Sequence, residues 1–134
     1  MIVTSLAGLP AFAAYFLGAV IACVSFVLAY TAITPNREME LIRQGNAAAA
    51  LSVGLSLIGF SLPLASAIFH SVDLVDCAVW ALVALVVQLL AYWLARLAMP
   101  NLPTGIAKGE IAAGVWVGCV SIAAGVLSAA CMTW

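Results

Sequence analysis

Apolar residues fill this chain in four blocks, and few polar positions interrupt them. No Asp, Glu, Lys or Arg occurs within 1–36, 44–71, 77–95 or 111–134. A helix needs about 20 apolar residues, rising ~1.5 Å each, to cross a hydrocarbon layer ~30 Å thick. The pattern predicts membrane-spanning helices near 11–33, 47–69, 76–98 and 111–132. The expected fold is therefore all-α, an integral membrane four-helix bundle forming a single domain over 1–134.

Small or polar residues recur every three or four positions within each block. They include Ala14, Gly18, Ala22 and Ser25 in the first and Ser52, Ser56, Gly59 and Pro63 in the second. The third has Cys77, Ala81, Ala84, Gln88 and Ala91, and the fourth Gly114, Gly118, Ser121 and Gly125. Lipid tails give helices little hydrophobic reason to associate, so close backbone approach through small residues supplies the packing. Gly18, Gly54, Gly59, Gly114, Gly118 and Gly125 are the candidate helix-packing positions. Pro63 removes an N–H from its helix and strands the Gly59 carbonyl, which Ser61, Ser66 or a neighbouring helix must then satisfy.

The chain also repeats itself. Laying 45–68 on 109–132 gives identities at Gly45/Gly109, Ala48/Ala112, Ala49/Ala113, Val53/Val117, Gly54/Gly118, Ile58/Ile122 and Ala65/Ala129. Two copies of a two-helix unit, about 11–69 and 76–132, are expected. An even number of helices per unit inserts both copies the same way up, so the repeat is parallel rather than inverted.

Between the blocks, Pro35–Gln44 reads as a short polar helix capped by Thr34, with Met39 and Ile42 dipping into the interface. Asn46 reads as the N-cap of the second span, and 101–110 as a turn-rich connector. Arg37, Arg43, Arg96 and Lys108 all fall at one end of the blocks, and no Lys or Arg falls at the other. The positive-inside rule then places the connectors in the cytoplasm and both termini in the periplasm. Tyr30, Tyr92 and Trp93 are expected at the inner interface, with Tyr15, Phe69, Trp80 and Trp134 at the outer one.

Composition narrows the function classes. The chain is 67% hydrophobic and 7% charged, against about 25% charged in soluble domains. A net charge of −1 gives no reason to expect nucleic acid or a polybasic attraction to lipid. The first apolar run carries no preceding Lys or Arg and continues well beyond the Ala11-Phe12-Ala13 stretch that resembles a cleavage site, so it reads as a span and not a signal peptide.

Polar chemistry inside the membrane is confined to Ser52, Ser56, Gln88 and Ser121, candidates for interhelical packing or for lining a pore. Proton-coupled pumps and voltage sensors carry ionisable residues at mid-depth, and none is expected here. His70, Asp73 and Asp76 form an outer turn that reads as solvated, with a cation or pH site as the sharper alternative. Cys23 and Cys119 read as packing residues, while Cys77 and Cys131 leave packing or a disulfide open. GxSxG, Walker A, HExxH and CxxC motifs are absent. Catalytic residues, cofactors and metal ligands are therefore assigned to none.

Thr34-Pro35-Asn36, Glu40-Leu41-Ile42-Arg43, Asn46 with the alanines after it, Pro63-Leu64-Ala65-Ser66-Ala67 and Ala112-Ala113-Gly114 carry a resemblance, as does the terminal Ala129-Ala130-Cys131-Met132-Thr133-Trp134. Over nearly its whole length the chain resembles the YjfL-like family of small bacterial inner-membrane proteins, grouped as domain of unknown function 350. The resemblance implies a Gram-negative inner membrane and no enzyme activity. Relatives are often encoded beside a phage-shock-protein-A-like membrane-coat protein, which implies envelope maintenance. Two readings follow. One is an oligomeric scaffold in contact with membrane lipid, docking a cytoplasmic membrane-coat partner through Arg37, Glu40, Arg43 and Lys108. The other is an oligomeric channel or passive transport protein with a path past Ser52, Ser56, Gln88 and Ser121.

Overall fold

The computed structural model describes residues 6–34 and 38–132. Its described elements are all helical: α1 (Leu9–Ile33), α2 (Glu38–Arg43), α3 (Ala47–His70), α4 (Leu74–Ala98), α5 (Leu102–Ala107) and α6 (Ile111–Cys131). Four of them, α1, α3, α4 and α6, are long and apolar enough to cross a membrane. Their ends fall within two residues of the spans expected from the hydrophobic pattern.

Local sequence explains the ends. Pro10 sits in the first turn of α1, where its missing N–H costs no helical bond. Asn46 caps α3 by accepting from the Ala49 N–H at 3.1 Å. Asp73 caps α4 through the Asp76 N–H at 2.8 Å, and Asp76 accepts from the Val72 N–H at 3.2 Å. Asp76 thus reaches past the cap to the residue before it, one position beyond the N–H that a capping box would bond.

The two short helices end alike. After α2, Gly45 N–H bonds to Ile42 O and Asn46 N–H to Leu41 O; after α5, Gly109 N–H bonds to Ile106 O and Glu110 N–H to Gly105 O. Each is a Schellman ending, which needs a left-handed residue at the turn. Gly45 (φ 88°) and Gly109 (φ 80°) provide it. Asn46 Nδ2 also donates to Ile106 O at 2.8 Å, so α2 and α5 lie at the same end of the bundle. Exposed Arg43 and Lys108 and half-buried Arg96 share that end.

The core runs between α3 and α6. A Cβ on Gly114 would fall on the Ala48 backbone, one on Gly125 on the Gly59 backbone, and one on Gly59 on the Ser121 backbone. At Gly118 the obstacle is the Leu55 side chain. The helices thus touch backbone to backbone, the arrangement that small-residue ridges permit. α4 closes one side through Cys77, Ala84, Gln88, Ala91 and Ala95, while Leu82, Val86, Leu90 and Leu94 face outward. α1 is held mainly by Phe26 and Tyr30. Phe26 stacks on Phe60 at 4.8 Å between ring centroids, and Tyr30 meets Tyr92 edge-on at 5.4 Å.

Two expectations need correction. Residues 102–107 form a helix, not a turn-rich strap, because Leu102, Pro103, Gly105 and Ile106 are buried against the bundle. Tyr30 and Tyr92 are core residues, 1% and 3% exposed, rather than members of an interfacial belt. Tyr30 can leave the interface because its hydroxyl finds Ser52 inside. In α2, Glu38 turns inward against the bundle and Met39 is 47% exposed. The expected start of that helix at Pro35, and Trp134 in the outer belt, lie outside the described residues.

Candidate functional site

Ser52, Ser56, Gln88 and Ser121 come together in the middle of the bundle, all buried. Gln88 reaches from α4 into the α3–α6 seam. Its Nε2 donates to Gly59 O and to Ser121 O, each at 3.2 Å, and its Oε1 accepts from the Ser121 hydroxyl. Gly59 O is the carbonyl that Pro63 deprives of its helical donor, so the amide fills the gap the proline opens. Ser61 and Ser66 are occupied elsewhere, donating to Ile58 O at 2.7 Å and to Ala129 O at 3.2 Å.

Toward the connector end, Ser52 pairs with the Tyr30 phenol, and Ser56 Oγ is buried without a hydrogen bond among the described residues. Beyond Tyr30 lies Glu38, 1% exposed, both of its carboxylate oxygens equally unpartnered. Burial pushes its carboxyl above the ordinary range. The Thr34 hydroxyl beside it opposes that shift, without meeting hydrogen-bond geometry. This acid is the residue the sequence reading missed. A six-residue helix is too short to reveal which of its faces turns inward.

The remaining candidates are scattered. Gly59, Gly114, Gly118 and Gly125 form the α3–α6 seam, whereas Gly54 has nothing within 4 Å of a Cβ and faces outward. A Cβ on Gly18 would lie 3.9 Å from Leu74 Cδ1, an ordinary contact. Glu40, Arg43 and Lys108 are exposed on the connector face, and Arg37 lies outside the described residues. The four cysteines are free; Cys77 is buried and Cys131 exposed. Asp73 and Asp76 are engaged as helix caps, and the His70 ring nitrogen lies 2.9 Å from Ser66 O. No group of three or more metal-ligating side chains occurs among the described residues. A cavity of about 350 Å³ opens beside α1, lined by apolar residues such as Phe60, Leu64 and Leu85 and away from the serine–glutamine cluster.

These features define an all-helical multi-span membrane protein whose interior polar groups mostly bind one another. The chain belongs to the DUF350 family, a domain of unknown function, whose model matches residues 4–132. It is 41% identical over 126 residues to the UPF0719 inner membrane protein YjfL of Escherichia coli K12, covering 94% of this chain and 96% of that one. The same protein of Escherichia coli O157:H7 matches equally. No solved structure matches.

Proposed function

We propose that this is a non-enzymatic inner-membrane protein, two parallel copies of a helical hairpin, that self-associates as a scaffold for envelope maintenance. The repeat reading draws support from paired lengths: α1 and α4 have 25 residues each, α2 and α5 have six each. The matched Schellman turns at Gly45 and Gly109 support it further.

Self-association rests on one observation. In its most apolar stretch α1 is only 6% buried, against 44% for α3, so most of α1 is left for lipid or for another copy. Phe12, Phe16, Leu17, Ile21 and Leu28 present that surface. The connector face, with Arg37, Glu40, Arg43 and Lys108, is the docking surface for a cytoplasmic membrane-coat partner, and both termini are periplasmic. The inner-membrane location follows the name of the Escherichia coli relative.

Cysteine cross-linking along α1 in native membranes tests the first part. Cross-linked dimers from Phe16→Cys or Ile21→Cys are expected, and their absence at every α1 position overturns self-association through this helix. Pull-down with an Arg37→Ala/Arg43→Ala variant tests the second: loss of a captured cytoplasmic protein is expected, and unchanged capture rejects this docking face.

A further inference from the structure

Among the described residues, two buried side chains lack hydrogen-bond partners, Glu38 and Ser56, and Tyr30 stands between them. The Tyr30 phenol pairs with Ser52 and lies within electrostatic reach of both the Ser56 hydroxyl and Glu38. A carboxylate left unpaired in such a place loses its hydration and gains nothing in return, whereas the neutral acid loses far less. Among the described residues, the titratable and charged groups facing Glu38 are Tyr30 from α1 and Tyr92 from α4, with Arg96 behind Tyr92. Arg96 spends its charge over the Trp93 ring, 5.3 Å from its centre. α3 contributes the hydroxyls of Ser52 and Ser56. None of these groups neutralises an ionised Glu38.

The matching seat in the other half sharpens the point. Sixty-four residues on, the first position of α5 is Leu102, wholly buried. An apolar side chain fills that seat, so packing does not call for an acid in its counterpart.

We propose that Glu38, beside the bonded hydroxyls of Tyr30 and Ser52 and the unpartnered one of Ser56, forms a proton-binding site at the connector end of the bundle and loads one proton on the carboxyl. Loading forms the carboxyl O–H bond with a proton taken from water at that end, and unloading breaks it and returns the proton to water. The proton supplies a donor where the site has unsatisfied acceptors, and the loaded form seats α2 against Tyr30 and Tyr92. This is independent of whether the protein is a scaffold.

Carboxyl carbon NMR of the ¹³C-glutamate-labelled protein in liposomes tests it without a substitution. The chain has three glutamates, and Glu40 and Glu110 are exposed. One of the three carboxyl signals should remain protonated at neutral pH and be missing in Glu38→Gln. Thr34→Val, which removes the hydroxyl favouring ionisation, should move the midpoint of that signal to higher pH. If the Glu38→Gln variant does not fold, the wild-type titration and Thr34→Val still decide. Three carboxyl carbons all ionised at neutral pH would overturn the proposal, as would a midpoint indifferent to Thr34→Val.

Discussion

The side-chain amide of Gln88 donates at 3.2 Å to the Gly59 carbonyl, the one acceptor that Pro63 leaves open in α3. A proline in one span is thus compensated by a glutamine in another. The two residues form a unit across 25 positions of sequence.

Gln88→Leu leaves buried acceptors at Gly59 and Ser121 and should destabilise the protein by ~1–3 kcal/mol. Pro63→Ala restores the helical donor, so the double variant should lose less than the single losses combined. A double-mutant cycle in detergent unfolding measures this coupling, expected near ~0.6 kcal/mol and below ~2. Strict additivity would mean that the amide and the proline act independently.

Gly125→Ala and Gly54→Ala should part company. The first drives a methyl into the Gly59 backbone and should cost ~1–3 kcal/mol as α3 and α6 separate. The second places a methyl in open space and should leave the unfolding midpoint unchanged. Thermal unfolding of both in one detergent checks the contrast.

Asn46→Ala removes the α3 cap and the bond to Ile106 O together. The expected loss is ~1 kcal/mol or somewhat more, since capping alone accounts for about that much. Hydrogen exchange should quicken at the amides of residues 47–49 while the middle of α3 stays protected. Uniform acceleration along α3 would contradict a local role.

Stability should fall as pH rises past the ordinary carboxylate range. Burial lifts the Glu38 carboxyl in the folded chain above its unfolded value, so the folded state holds the extra proton between the two. Its contribution is complete below the unfolded value and disappears as pH climbs through the folded one. Unfolding midpoints against pH should flatten over this window in Glu38→Gln. A wild-type profile with the same slope as the variant would remove Glu38 from the account.

The spans were legible because a charge-free block of this length has few alternatives, and their caps, Asn46 and Asp73, sit where a polar residue meets an apolar run. Gln88 announced a need for partners, and the Ser121 hydroxyl is one of them, but the Gly59 carbonyl comes within reach only through the rotation of the helices. α5 was hidden by its own letters. Pro103 and Gly105 are turn residues in isolation, and Leu102 and Ile106 are too few to show a period. Glu38 was hidden for the same reason, since the six residues of α2 are too few to show which face turns inward.

The seam between α3 and α6 has a consequence for how the protein is made. Forty residues separate the end of α3 from the start of α6, so α3 enters the bilayer with its glycine face uncovered and its proline gap open. Gln88 precedes α6 in the chain, so its amide is available to the open carbonyl before α6 is made. The seam of α3 is thus completed in two stages, by α4 at the proline gap and by α6 along the glycines.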